Sequence, residues 1–185
     1  CLPHKSFFLF CTEMLEYFNN NKKIFMISGN NFSENFFRKK SRYSYDFSIY
    51  PLIWGWATWK RAWINNNKMM DSWSKLQRTS WLKDILIDDD AVRWWNKILD
   101  SSYLGELDTW DVIWTFSCWE NNGLTIVPEV NLVTNIGFGE SATHTTSTSC
   151  YKANLPINAV EFPLNHPPTI QNNKYKDRFI YDYVI

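Results

Sequence analysis

The sequence lacks an excess of either charge: 19 Lys plus Arg stand against 19 Asp plus Glu, for a net charge of zero. Its densest basic cluster, Arg38, Lys39 and Lys40, is short. Binding a phosphate backbone needs a basic face, so no nucleic acid is expected as the main partner. No apolar run approaches the length of a membrane span, and no cationic leader followed by an apolar stretch opens the chain. No transmembrane segment is therefore expected, and the expected location is cytoplasmic, free or at the inner face of the membrane. The four cysteines, Cys1, Cys11, Cys118 and Cys150, show no CxxC spacing. Neither a zinc framework nor a disulfide framework is indicated, which agrees with a reducing compartment. GxGxxG, Walker, HExxH and GxSxG motifs are all missing, which removes several enzyme classes without removing enzymes as such. Internal repeats and low-complexity blocks are missing too.

What is present is aromatic. Of 185 residues, 18% are Phe, Trp or Tyr, and 11 are Trp. The length suits one domain, and 45% hydrophobic with 21% charged residues is ordinary for a globular protein with a real core. The densest stretch is YPLIWGWATWKRAW, Tyr50 to Trp63, with Trp54, Trp56, Trp59 and Trp63. Pro51 and Gly55 punctuate it. Ala57 to Trp63 reads as the start of a helix, with Thr58 as its N-cap. Two readings stay open. A glycine between indoles lets backbone approach a ligand while ring faces line the walls; equally, a core helix with a tight lead-in uses aromatics in this way.

Elsewhere the pattern is that of an α/β protein. Residues 6–18 carry Phe7, Phe10, Cys11, Met14, Leu15 and Phe18 at helical spacing, with Ser6 as cap. Ile24 to Ile27 and Tyr45 to Ile49 have strand length, and Asn30 to Ser44 between them reads as a surface excursion. Short helical pieces are expected over 72–76 and 80–87. Asp88 to Asp90 precedes a helical run, 91–99, where acidic residues favour the helix dipole over a metal reading. Asp108 or Thr109 caps a helix that runs to Asn122, with Gly123 at its C′ position. Leu124 to Val127 and Val130 to Ile136 read as strands, followed by a Gly- and hydroxyl-rich loop, 137–148. The tail, 151–185, holds Pro156, Pro163, Pro167 and Pro168 and reads as extended, with one strand near Val160 to Phe162.

Three sets of residues carry chemistry. Asp111 stands in the first turn of a helix beside Trp110 and Trp114, a placement that suits a general base and equally a carboxylate that only complements the helix end. His144 lies in the hydroxyl-rich loop, where it suits either a metal ligand or an ordinary polar side chain. Lys60 and Arg61 could meet a diphosphate or form a solvated helix face. His4 and His166 stand beside prolines and carry little signal.

Several segments match a family in order: LP-x-x-x-FFLFC-x-EMLEYF, IFMISGNNF, YPLIWGWATWKRAW, TWDVIW and VNLVTNIGFG-x-x-ATHT. The chain resembles bacterial proteins described as hemolysin-like HlpA proteins or nucleotide-diphospho-sugar transferases of the GT-A fold, over nearly all of residues 2–167. The resemblance implies the C-terminal portion of that Rossmann-like fold, a mixed sheet with flanking helices. Residues 1–150 would form the acceptor-side, catalytic half of a glycosyltransferase, and 151–185 a tail packing on it. It implies a nucleotide-sugar donor, a glycan acceptor and a divalent cation, Mn²⁺ or Mg²⁺. Asp111 of TWDVIW would take the place of the catalytic base. Trp54, Gly55, Trp56, Trp110 and Asp108 would bind substrate, and His144 would close over the diphosphate as a metal ligand. One departure stands out. The acidic metal-binding motif expected just before Leu2 is not in the sequence, and Cys1 opens a chain that reads as a piece of a longer polypeptide. Two further readings therefore remain: a non-catalytic, aromatic-rich carbohydrate-binding module or degenerate transferase remnant, and a helper domain that needs a partner chain to complete its sheet, whose exposed strand edges would promote pairing or aggregation; a homo-oligomer is also compatible with the sequence.

Overall fold

A computed structural model of the chain describes residues 1–34, 36–37, 41–86, 88–137 and 154–185. In order, the elements are β1 (Leu2–Pro3), α1 (Ser6–Tyr17), β2 (Ile24–Ser28), β3 (Tyr45–Ser48), β4 (Trp56–Thr58), α2 (Lys60–Trp63), α3 (Trp73–Leu76), α4 (Trp81–Ile85), α5 (Asp89–Tyr103), α6 (Trp110–Glu120), β5 (Leu124–Pro128), β6 (Val133–Thr134) and α7 (Lys174–Tyr183). The fold is mixed α/β. Its main sheet has the order β3-β5-β2-β4, and a separate two-stranded ladder joins β1 to β6.

β2 and β5 run parallel at the centre, and β4 and β3 flank them antiparallel. β2, IFMIS, is buried along its whole length, as a strand covered on both faces should be. On one face lies α1, whose buried stripe Phe7, Phe10, Cys11 and Met14 repeats every three to four residues. It packs on Ile24, Ile27, Tyr45, Phe47 and Ile126. On the other face Trp114 and Cys118 of α6 meet Phe25 and Met26. Beyond them Phe116 and Trp119 of α6 join Trp95 and Leu99 of α5 and Val127 of β5.

Several expectations need correction. Trp56–Thr58 is a strand, not a helix start, because Trp56, Ala57 and Thr58 pair with Ser28, Ile27 and Met26 of β2. Thr58 caps nothing: its hydroxyl donates to the Phe25 carbonyl across that ladder at 2.5 Å. Ser6 caps nothing either, being inside α1 with its Oγ on His4 Nδ1 at 2.8 Å. Asn30 to Ser44 does not simply ride the surface. Asn30, Asn31 and Ser33 are buried, since Asn31 Nδ2 donates to the Pro128 and Glu129 carbonyls at 2.9 and 2.8 Å. The strand expected over 130–136 shrinks to Val133–Thr134, because Leu132 N turns to the Gly29 carbonyl at 2.8 Å instead. At the end of α6 the left-handed residue is Asn122 (φ 53), not Gly123; Gly123 is needed for space, since a Cβ there would meet Phe25 at 2.5 Å. Asp88 does cap α5, accepting from Ala91 N at 2.9 Å.

The tail is not wholly extended. Val160 and Leu164 plug the core beneath α1 without forming a strand, and the chain closes with the helix α7. Asn173 caps it, Phe179 and Ile180 face inward, and Asp177 is buried. Lys176 ties it to the sheet through Asp46 Oδ2 at 2.8 Å and Glu129 Oε2 at 2.6 Å.

Candidate functional site

The sheet's architecture sets one place apart. α6 leads through a tight turn into β5 and runs antiparallel to it, so the N-terminus of α6 stands at the carboxyl ends of the two parallel strands. Open α/β sheets bind ligands at that end. A cleft of about 280 Å³ opens there, lined by Phe32, Leu52, Trp54, Trp94, Asp111 and Thr115 among others. Val184 and Ile185, after α7, complete its rim. Its volume lies just below the range of about 300–1,000 Å³ usual for small-molecule sites.

Trp54 and Asp111 thus reach one cleft from segments 57 residues apart in sequence (111 minus 54). Trp54 is held on both sides of its backbone and ring. Its N–H donates to Asn30 Oδ1 at 3.2 Å, and its indole meets the Phe32 ring edge-on at 5.0 Å. Behind it Ser28 Oγ donates to the Leu52 carbonyl at 2.7 Å and accepts from Asn30 N at 3.2 Å. Asn30 is fully buried, and its Nδ2 has no hydrogen-bond partner. Asp111 sits in the first turn of α6, after the extended N-cap residue Thr109. The Thr109 hydroxyl donates to Asp111 Oδ1 and so orients the carboxylate without consuming its second oxygen. Among the described residues the lining holds aromatic and aliphatic groups, one side-chain carboxylate, the hydroxyl-bearing Tyr50 and Thr115, and no Lys, Arg or His.

The other expected site residues fall elsewhere. Trp56 does not line this cleft. Gly55 holds a left-handed conformation (φ 64), with its carbonyl on Gly29 N at 2.6 Å, and the chain reverses there. Trp56 therefore leaves Trp54's side and joins Trp110, stacked at 5.4 Å with planes 23° apart. Trp110 is 46% exposed and does not line the cleft. Asp108 is exposed outside it, and Thr109 rather than Asp108 takes the N-cap position. Gly55 acts by its turn. His144 lies outside the described residues.

Arg61 is not available to a diphosphate. Its guanidinium donates to three main-chain carbonyls, Asn19, Ile24 and Phe18, at 2.8, 2.8 and 2.9 Å, and lies 4.4 Å over the Trp59 ring. It ties together the residues that follow α1, Phe18 and Asn19, and the first residue of β2, Ile24. Among the described residues no group of three or more His, Cys, Asp or Glu is placed to hold a metal ion. Nor is any described helix long and apolar enough to cross a membrane. Cys1, Cys11 and Cys118 are free thiols.

Asn30, Phe32 and Trp94 were not singled out by sequence. A polar residue two positions after a buried strand is the signal that marks Asn30. Trp94 gives none, since it reads as one more aromatic of a helix. No family model matches the chain, and no curated protein or solved structure matches it either.

Proposed function

We propose that the Trp54–Asp111 cleft binds a sugar and that the protein is the acceptor-side part of a GT-A-type glycosyltransferase. The observation that carries this reading is the convergence of an indole and a helix N-terminal carboxylate on one small cleft at the carboxyl end of the parallel strands. An indole face takes the C–H face of a pyranose, and a single carboxylate can take the proton of one of its hydroxyls. In the reaction, the acceptor oxygen bonds to the anomeric carbon of the donor as the bond from that carbon to the diphosphate breaks. Asp111 receives the hydroxyl proton, and the Thr109 hydroxyl holds the carboxylate in place. A nucleotide-sugar donor, a glycan acceptor and a divalent cation complete the proposal.

One observation favours a second reading, a sugar-binding module without catalysis: the cleft has no cationic side chain among its described lining residues, and a leaving diphosphate needs positive charge nearby.

Turnover separates the two. The protein is incubated with Mn²⁺, a panel of nucleotide sugars and a panel of glycan acceptors, and glycosylated product is measured by mass spectrometry. The transferase reading expects product, and its loss by about 100-fold or more in Asp111→Asn, the low end of the usual contribution of a general base. Product formed equally by Asp111→Asn removes Asp111 as base. Saccharide binding without product in any pairing favours the module.

A further inference from the structure

Outside the cleft the chain displays an indole surface that its core does not require. Trp56 contacts Trp110 at 5.4 Å and Trp63 at 5.8 Å, and Trp63 contacts Trp114 at 5.0 Å. Trp114 is fully buried, its Nε1 against Met26 Sδ at 3.4 Å, and it seals the sheet on this side. Core packing accounts for Trp114. It does not account for Trp110 and Trp63, which are 46% and 41% exposed. Large apolar rings left in water as a contiguous group mark an interaction surface.

The position of the group says what covers it. Two backbone segments run directly from the cleft to these rings. Asp111, in the cleft, follows Trp110; Trp54, in the cleft, precedes Trp56 by two residues across the Gly55 turn. Two residues span at most about 7 Å, so the backbone that carries the Trp56 and Trp110 rings adjoins the backbone that lines the cleft. A ligand extending past the cleft along either segment would come to the residues that carry these indoles. Sugar chains suit such a path, since each pyranose offers an apolar C–H face to a ring and a polar edge to water. Exposed polar groups flank the rings, Asp108 two residues before Trp110 and Lys60 three before Trp63.

We propose that Trp110, Trp56 and Trp63 form a second saccharide subsite, and that the substrate is therefore an oligosaccharide of at least two rings, not a single sugar. This rests on the reading of the Trp54–Asp111 cleft as a sugar site.

The test uses neutral gluco-, galacto-, manno- and N-acetylglucosamine oligomers of one to five rings, titrated by calorimetry and indole fluorescence. In at least one series, affinity rises about tenfold between one ring and three. Trp110→Ala and Trp63→Ala each remove most of that rise, weakening the three-ring ligand several-fold more than the one-ring ligand. Trp110→Phe keeps part of it. Circular dichroism confirms that the variants fold, which the exposure of both rings favours. One-ring ligands that bind with no gain from chain length overturn the subsite and leave the cleft reading standing. Binding absent at every length in all four series overturns the cleft reading and the subsite together. Loss of self-association in Trp110→Ala, measured by sedimentation with saccharide affinity unchanged, overturns the subsite in favour of a contact between copies.

Discussion

Trp56 stacks on Trp110 with planes 23° from parallel, while Trp54, two residues earlier, turns into the cleft that holds Asp111. One glycine separates these destinations. Gly55 carries the chain through φ 64, and a Cβ at that position would stand 2.6 Å from Val133 Cγ2. The tryptophan segment is therefore a divider between a cleft and a surface, and the Gly55 turn makes it one.

Gly55→Ala is expected to destabilise the fold. The backbone conformation costs about 1–3 kcal/mol in a residue with a Cβ, and overpacking against Val133 costs about 1–3 kcal/mol more. Urea unfolding measures the sum, and a double-mutant cycle with Val133→Ala, a core residue with a truncation cost of its own, isolates the packing part as the coupling energy. A single variant within about 0.5 kcal/mol of the parent, the size of an ordinary surface change, shows that the turn tolerates a side chain.

Arg61→Lys separates structure from chemistry. A lysine cannot reach three carbonyls from one planar group, so two of the bonds to Asn19, Ile24 and Phe18 are lost. Each hydrogen bond from a charged donor contributes about 1.5–3 kcal/mol. The midpoint of thermal unfolding should fall clearly, while the affinity of the folded protein for nucleotide sugars stays as it was. Weakened nucleotide binding with unchanged stability reverses the assignment.

Local signals carried part of the architecture. The α1 stripe Phe7, Phe10, Cys11, Met14, the apolar run Ile24–Ile27 of β2 and the Asp88 cap are set by residues within one or two turns of each other, and they are readable without tertiary contacts. β4 was not. Ala57 and Thr58 beside KRAW look helical until β2 lies alongside and takes their hydrogen bonds. α7 was obscured for a similar reason. Its inward face, Asp177, Phe179 and Ile180, mixes a carboxylate with two apolar groups, and only the partners Ser48 and Asn172 explain the carboxylate. At the site, Asp111 was marked by its place in a helix first turn. The parting of Trp54 from Trp56 depends on the sign of one backbone angle, and Arg61's role depends on carbonyls 37 to 43 residues away. No periodicity reports either.

Lys176→Met should release α7. The ammonium is nearly enclosed and bridges Asp46 and Glu129; burial opposes its charge, but the two carboxylates outweigh burial and hold its pKa up. Methionine fills the space and leaves two carboxylates facing each other without a cation. Breaking a buried pair from one side costs about 3–5 kcal/mol. Limited proteolysis should then cut within 174–185 before the sheet unfolds. Global unfolding with no early cut at α7 shows that the helix is not a separate unit.

Asp177 gives the fold a pH dependence of unusual sign. Burial raises its carboxyl from 3.8 to about 6, against the lowering effect of hydrogen bonds from Asn172, Ser48 and the Ile49 backbone. A carboxyl raised on folding binds its proton more tightly in the native state. Its contribution to stability is therefore complete below about pH 3.8 and is lost as pH rises through about 6. The shift corresponds to a few kcal/mol at about 1.4 kcal/mol per pKa unit. Other carboxylates titrate in the same window, so the informative quantity is a difference. Stability of Asp177→Asn minus that of the parent should rise from pH 4 to pH 7, because asparagine carries no charge to bury. Chemical denaturation at half-unit steps measures both curves; if they run parallel, Asp177 is ionised at no cost in the native state, with Ser48 Oγ at 2.6 Å and Asn172 Nδ2 at 2.6 Å sufficient to hold its charge.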